Sequence, residues 1–151
     1  MSELKNITVN KKAFHNYAII EKFEAGMVLV GSEVKSIREG KVNLKDSYVE
    51  IRAVEAFLIN SHISAYSNAS YNNHEPERER KLLLNRRELM KLDKKVKTRG
   101  FSIVPLRMYF NKKGRVKIEI AIAKGKREYE KKQKIKDRDI KRDVDRELRR
   151  Y

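Results

Sequence analysis

The chain has 151 residues and a formal net charge of +16, with 37 Lys and Arg against 21 Asp and Glu. A surplus of this size adds self-repulsion to the folded state, and it suits a protein that neutralises a polyanion. Nucleic acid is the first candidate partner and an anionic membrane surface the second. The absence of Cys excludes disulfides and thiolate metal sites. Residues 1–10 lack the apolar core of a secretory signal, and no apolar run is long enough to span a bilayer, so we expect a cytoplasmic protein.

The composition changes near residue 123. Residues 1–123 carry 24 basic and 14 acidic residues and nearly all of the large apolar ones, whereas residues 124–151 carry 13 basic and 7 acidic residues. This change predicts a folded domain over residues 1–123, followed by a basic C-terminal tail over residues 124–151.

The first third of the chain predicts one hairpin and two short helices. Residues 11–15 predict a short helix. Apolar residues on both sides of Glu24-Ala25-Gly26 predict a hairpin with strands over 17–23 and 27–30. Ser32 then predicts the N-cap of a short helix that ends at Gly40.

The middle of the chain predicts a second hairpin, a mobile loop and a further helix. The hairpin strands lie over 48–51 and 56–59, and the polar, unpatterned residues 67–79 predict the loop. Asn85 with Glu88 three residues later resembles a capping box. A helical stripe of Leu89, Leu92 and Val96 follows and predicts a helix that ends before Gly100.

The last strands of the domain have the clearest pattern. Apolar residues alternate with others over 116–122, and residues 101–110 predict the partner strand across the loop 111–114. Many short antiparallel strands with few helices predict a mainly β fold, a small antiparallel OB-type barrel of about six strands with two or three short helices.

The basic tail carries a narrow helical stripe formed by Ile140, Val144, Leu148 and Tyr151. Acid-before-base pairs four residues apart each add ~0.2–0.5 kcal/mol to a helix. Ordering one residue costs roughly 1–2 kcal/mol, so four apolar residues cannot stabilise the tail alone. We expect the tail to be disordered in the free protein and helical on a partner.

Catalytic motifs are not evident. His15, His62 and His74 are scattered and lack metal-ligand spacing, and no phosphate-cradling glycine loop occurs. The basic residues around Leu82-Leu83-Leu84 are either a solvated face beside a core strand or a phosphate-binding surface, and the overall charge favours the second interpretation. Glu24 is either an ordinary turn carboxylate or an acceptor for base amino groups or a ribose 2′-OH.

Five segments together resemble the SsrA-binding protein family (small protein B, SmpB). They occur in order over nearly the whole chain: Asn10-Lys11-Lys12-Ala13-Phe14-His15-Asn16-Tyr17, Phe23-Glu24-Ala25-Gly26, Gly31-Ser32-Glu33-Val34-Lys35-Ser36, Arg80-Lys81-Leu82-Leu83-Leu84 and Ala123-Lys124-Gly125-Lys126. The resemblance implies an OB-type barrel that binds the tRNA-like domain of transfer-messenger RNA. It also implies delivery of that RNA to stalled ribosomes for trans-translation, with the tail folding in the empty messenger channel.

The resemblance assigns candidate residues to two partners and implies no enzyme activity, cofactor, metal, membrane or small-molecule substrate. His15 falls where the family faces the decoding region of the small subunit, and the family's Asp-Lys-Arg motif reads Glu130-Lys131-Lys132 here. The predicted tail contacts are Glu130, Lys131, Lys132, Ile140 and Val144. The predicted RNA-binding residues are Asn10, Glu24, Lys35, Arg80, Lys81, Leu83, Lys124, Gly125 and Lys126.

Other classes of function are open on the residues alone. A ribosomal or generic single-strand RNA-binding OB-fold protein would show exposed aromatic stacking platforms and little preference among RNAs. An RNA-processing enzyme would require clustered carboxylates or a metal site. A membrane-surface helix in the tail fits poorly with its narrow apolar stripe and seven acidic residues.

Overall fold

The computed structural model describes residues 5–66 and 73–126, and this part of the chain forms nine strands and three helices. The elements in chain order are β1 (Lys5–Val9), α1 (Lys11–Asn16), β2 (Tyr17–Met27), α2 (Gly31–Arg38), β3 (Val42–Asn43), β4 (Tyr48–Arg52), β5 (Glu55–Ile59), β6 (His62–Ile63), β7 (Arg80–Leu83), α3 (Arg86–Val96), β8 (Phe101–Phe110) and β9 (Val116–Gly125).

Seven of these strands form one antiparallel sheet in the order β1-β8-β9-β2-β7-β5-β4, while β3 and β6 form a separate pair. The sheet curls so that β4 at its end comes back against β8, which gives the barrel its shape. The mainly β prediction is confirmed. The two hairpins over β4–β5 and β8–β9 are also found as predicted, whereas β1, β3 and β6 were not predicted.

Alternation along the strands separates an interior from an outer face. In β2, Phe23 and Ala25 point inward and are buried, whereas Lys22 and Glu24 point outward and are exposed. The core inside the barrel also takes in the buried apolar side chains of β9 and α3, among them Ile118, Ile120, Ile122 and Leu92.

The predicted hairpin around Glu24-Ala25-Gly26 is wrong, because these residues continue a single eleven-residue strand. Ala25 is only 1% exposed and pairs with Ile118, and Gly26 pairs with both Lys117 and Leu83. The glycine that suggested a turn instead lets the neighbouring strand approach closely. A Cβ at Gly26 would lie only 3.4 Å from the Cβ of Leu83.

The predicted N-cap at Ser32 is also wrong. α2 begins at Gly31, and the side chain of Glu33 accepts a hydrogen bond from the backbone N–H of the N-cap residue Val30 at 3.0 Å. Ser32 lies inside the helix, and its hydroxyl lies 2.8 Å from Nδ1 of His74. Because Nε2 of His74 donates to the carbonyl of Ile63 at 2.8 Å, Nδ1 accepts from Ser32, and the buried imidazole ties the segment before β7 to α2.

The predicted capping box of α3 is confirmed. The side chain of Asn85 accepts from the N–H of Glu88 at 2.9 Å, and Glu88 accepts in return from the N–H of Asn85 at 3.2 Å. Leu92 is fully buried, with Leu89 and Val96 packed against the same core. α3 therefore lies against the interior side of the sheet, where Lys91 also reaches Glu21 at 2.5 Å.

α1, the first predicted helix, is present and covers one end of the outer face. Its Ala13 packs with Val104, Leu106, Ala121 and Ala123 in a second, smaller cluster. β9 runs to Gly125, two residues past the expected domain boundary, and the N–H of Lys126 donates to the carbonyl of Asn16 at 2.9 Å. The predicted mobile loop is described only over 73–79, which contains no helix or strand, and residues 67–72 and the tail after 126 lie outside the described residues.

Candidate RNA-binding surface

Glu24 lies on the outer face near the C-terminal end of β2, and its carboxylate is held in a defined orientation. The hydroxyl of Tyr109 on β8 donates to Oε2 of Glu24 across the intervening strand β9. Burial raises the pKa of Tyr109 well above its usual range, and the Glu24 carboxylate adds to the shift. Tyr109 therefore remains a donor at neutral pH. Glu24 is exposed, so its carboxylate can also accept from a base amino group or a 2′-OH.

Arg107 supports this arrangement from the same face. Its guanidinium lies 4.6 Å from the ring centroid of Tyr109 and donates to Asn6 at 2.9 Å. It also lies 3.4 Å from Glu119, the residue directly opposite Glu24 on β9. Arg107 is thus a charged side chain near Glu24 that the sequence did not single out, because its partners come from three different strands.

Leu83 lies on the neighbouring strand opposite Gly26, two residues along β2 from Glu24, and points outward. Its side chain is 53% exposed, an unusual position for a leucine between two more buried ones. Nζ of Lys117 lies 3.5 Å from the Cβ position of Gly26, so a cation stands beside the leucine. Lys81 is exposed two residues earlier on the same face and pairs with Glu55 at 3.4 Å. An apolar side chain, a carboxylate and lysines are therefore adjacent here, as a contact to ribose, base and phosphate requires.

Arg80 does not belong to this surface, which corrects the predicted set. Its side chain is fully buried, and its Nε donates to Glu33 at 2.6 Å while its terminal nitrogens donate to the backbone carbonyls of Ser61 and Pro76. Arg78 donates to the same Glu33 carboxylate at 2.6 Å. With its donors used inside the protein, Arg80 links β7 to α2 and is not available to a phosphate.

Asn10 is likewise a structural residue in this conformation. It is 6% exposed and is the N-cap of α1, where its Oδ1 accepts from the N–H of Ala13. Its Nδ2 donates to the carbonyl of Pro105 at 2.9 Å and to that of Leu44 at 3.3 Å. The predicted direct RNA contact is therefore replaced by a role in holding α1 against β8.

The predicted residues Lys124, Gly125 and Lys126 lie at the other end of β2. Gly125 pairs with Tyr17, seven residues along the strand from Glu24, which places the two ends roughly 20 Å apart at ~3.3 Å per residue. The exposed His15 is nearby on α1, since Lys126 donates to the carbonyl of the adjacent Phe14 at 3.3 Å. The candidate residues thus form two patches, one at each end of the same strand.

Lys35 lies on α2, not on the strands that carry the two patches. It is exposed on α2, with its Nζ 5.5 Å from the ring centroid of Tyr66. Within residues 5–66 and 73–126, no group of His, Asp or Glu side chains is arranged to hold a metal ion. The same residues include no helix that is both long and apolar enough to cross a membrane.

The fold and its outer face define a small, basic, antiparallel β-barrel protein. The family model described as SmpB protein matches residues 7–150. The chain belongs to the SmpB family.

Individual relatives agree with this assignment. The SsrA-binding protein of Sulfurihydrogenibium sp. (strain YO3AOP1) is 55% identical over 149 residues, covering 99% of this chain and 97% of the relative. The SsrA-binding protein of Syntrophobacter fumaroxidans (strain DSM 10017 / MPOB) is 56% identical over 140 residues, covering 93% and 86%. A solved structure described as "tmRNA-SmpB: a journey to the center of the bacterial ribosome" matches with a TM-score of 0.68 and 41% identity, covering 84% of this chain and 87% of that one.

Proposed function

We propose that this protein binds the tRNA-like domain of transfer-messenger RNA and delivers it to stalled ribosomes for trans-translation. The observation that carries the proposal is the end-to-end similarity to SsrA-binding proteins, together with the 41% identity to a chain whose structure is described as tmRNA-SmpB in the bacterial ribosome. It acts as an adaptor in the cytoplasm, it catalyses no step, and its contribution is to hold two RNA partners together.

The two ends of β2 contact different parts of the tRNA-like domain of transfer-messenger RNA. Glu24 and Leu83 contact base or ribose at one end, while Lys124, Gly125 and Lys126 approach the backbone at the other. Their separation of roughly 20 Å along a rigid strand fits a folded RNA surface. A single strand would instead call for a row of stacking aromatics.

The ribosomal contacts come from α1 and from the basic tail. His15 faces the decoding region, and the tail enters the empty messenger channel. Glu130, Lys131 and Lys132 anchor it there, and Ile140 and Val144 form the apolar stripe of the helix. These tail residues lie outside the described part of the chain, and their roles rest on the family resemblance and on the sequence pattern.

The RNA that co-purifies with the protein from its own cell extract tests the proposed function. We expect transfer-messenger RNA to be enriched far above its share of total RNA, because recognition combines shape with a few specific contacts. Sequencing of the bound RNA provides the measurement, with an unrelated protein of similar charge as the control. Recovery of bulk RNA in proportion to its abundance would favour a generic RNA-binding module.

Glu24→Arg distinguishes a specific contact from general electrostatics. The change replaces a negative charge with a positive one, so a purely electrostatic binder would bind RNA more tightly. A specific acceptor predicts weaker binding instead, by roughly 1–3 kcal/mol where a buried donor is left unpaired. Leu83→Asn tests the apolar contact in the same way. Affinity for transfer-messenger RNA is measured by titration at fixed salt.

Glu39→Arg is the matched control for this experiment. Glu39 is an exposed carboxylate at the end of α2, paired with Lys41 at 3.2 Å, and the same charge change there leaves the outer face intact. Circular dichroism confirms that each variant is folded. Parental affinity in both Glu24→Arg and Leu83→Asn would remove these residues from the site.

A further inference from the structure

The solvent side of α3 carries basic residues and an exposed methionine, none of which is among the proposed RNA-binding residues. Arg86, Met90, Lys94 and Lys97 follow one another at spacings of four, four and three residues, so they lie on the same side of the helix and its last turn. Leu92 on the other side is buried in the core. Met90 is 55% exposed, which leaves a large apolar side chain between basic ones.

The hairpin turn between β4 and β5 extends this surface with a strained residue. Ala53 and Val54 form a two-residue turn in which both have positive φ, 51° and 58°. Asn and Gly are favoured at such positions, and a β-branched residue is a conformational outlier there. Val54 is nevertheless 37% exposed and lines a groove with Met90. Strain without burial at such a position points to a function for the side chain.

The groove has an apolar floor and unpaired cations. Val54 and Met90 are the apolar residues that line it, and Arg86 and Lys94, which also line it, make no ion pair with any residue in 5–66 or 73–126. Lys97 is paired with the partly exposed Asp93, at 3.1 Å. From Arg86 to Lys97 the cations extend over roughly 16 Å along the helix axis.

We propose that this α3 groove docks on the minor groove of an A-form RNA helix of the ribosome. The minor groove of such a helix is wide and shallow, with base edges and ribose 2′-hydroxyls on its surface and a row of phosphates along each edge. An apolar floor between two sets of cations is complementary to that surface. Recognition by shape requires no base-specific hydrogen bond.

The position of the groove favours the ribosome as the source of this helix. This step rests on the proposed function, in which Glu24 and Leu83 hold transfer-messenger RNA. α3 packs on the interior side of the sheet, where Lys91 reaches Glu21 and lies 5.9 Å from the ring centroid of Phe23. Glu24 points to the opposite side of β2. The two surfaces therefore face different directions and can hold two RNAs at once.

Neutralising Arg86 and Lys94 tests the electrostatic contribution to docking of the α3 groove on ribosomal RNA. Arg86→Gln with Lys94→Gln keeps good helix formers at both positions. We expect the full-length double variant to bind purified ribosomes more weakly, with the log–log salt slope shallower by about 1 for each cation removed. Lys41→Gln with Lys45→Gln makes the same charge change away from the groove and is expected to leave the slope nearly unchanged.

Relieving the strained turn tests the apolar contribution of Val54 to the same docking. Ala53→Asn with Val54→Gly installs the sequence that this turn type prefers, so we expect an unchanged or higher midpoint of urea denaturation. Ribosome affinity falls nevertheless, because the groove loses part of its floor. A purely structural role for Val54 predicts no loss of ribosome affinity, and that result would overturn the proposal.

Separate measurements distinguish this inference from the proposed function. Ribosome binding is measured with the protein alone, and affinity for transfer-messenger RNA is measured in parallel. Both variants are expected to keep parental affinity for transfer-messenger RNA. A loss on that RNA with unchanged ribosome binding would assign the groove to the other RNA and overturn the proposal. Failure of the parental protein to bind transfer-messenger RNA would refute the proposed function, while the ribosome-binding comparison would still test the groove.

Discussion

Glu33→Gln is expected to lower the free energy of unfolding by about 3–5 kcal/mol, the largest effect of any single substitution considered. Glu33 and Arg80 are both fully buried and meet at 2.6 Å, and Arg78 donates to the other carboxylate oxygen at 2.6 Å. A neutral side chain at position 33 leaves the Arg80 guanidinium in the interior without its counter-charge. Urea denaturation followed by circular dichroism measures the change.

Two further variants test whether the loss of stability in Glu33→Gln arises from the buried ion pair with Arg80. Glu55→Gln removes an exposed pair with Lys81 at 3.4 Å, and its cost is expected to be at most about 1 kcal/mol. Arg80→Met combined with Glu33→Gln removes both charges. The double variant is therefore expected to lose less free energy of unfolding than the sum of the losses in the two single variants. Additive effects would show that the two side chains do not depend on each other.

The same ion pair makes the acid side of the stability curve depend on Glu33. Burial alone would raise the pKa of Glu33, but hydrogen bonds from Arg78, the Val30 N–H and Arg80 outweigh it and lower the pKa below 4.5. The stabilisation is therefore present above the unfolded-state pKa and is lost as the pH falls through the folded-state value. In Glu33→Gln this part of the acid-induced loss is absent.

Sequence patterns predicted the helices and strands whose defining residues lie within a few positions of one another. The capping box of Asn85 and Glu88 lies within three residues and appears as two hydrogen bonds. The period-two pattern of β9 also needs no information from elsewhere in the chain. By contrast, Gly26 looked like a turn because its close approach to Leu83, 57 positions away, is invisible in the sequence.

Some of the predicted site residues point outward, whereas others are held in the interior by a partner that is distant in the sequence. Leu83 follows from the resemblance and is exposed as a contact residue must be. Arg80 occurs in the same basic cluster, but its carboxylate partner lies 47 positions earlier, so its burial could not be read from its neighbours. Arg107 was missed for the same reason, since its orientation depends on Asn6, Tyr109 and Glu119.

Truncation after Lys126 is expected to abolish peptide tagging on a stalled ribosome while retaining most of the affinity for transfer-messenger RNA. The truncation keeps all of β9 and the hydrogen bond from the N–H of Lys126 to Asn16, so the barrel core is unchanged. Glu24, Leu83 and Gly125 also remain. What is lost is the segment proposed to fold in the messenger channel, and tagging requires that step. Tagging on a reconstituted ribosome and RNA affinity are measured in parallel.

Proline substitutions test whether the tail acts as a helix. As one helix, residues 135–151 would extend over roughly 25 Å at ~1.5 Å per residue. Ile140→Pro with Val144→Pro is expected to reproduce the truncation, because each proline in a helix interior costs about 3 kcal/mol. Ile140→Ala with Val144→Ala is the matched control, since it removes the same side chains from the stripe but favours the helix. Tagging should fall further in the proline variant than in the alanine variant.

Replacing Glu130, Lys131 and Lys132 together by Ala separates the anchor from the helix. Alanine favours helix formation, so any loss of tagging arises from the missing charges. We expect a loss as large as that of truncation, with RNA affinity unchanged. Full tagging by the proline variant would contradict folding in the channel. Loss of RNA binding on truncation would show instead that the tail and the barrel form one RNA site, because the two ends of β2 would then be insufficient to hold the RNA without it.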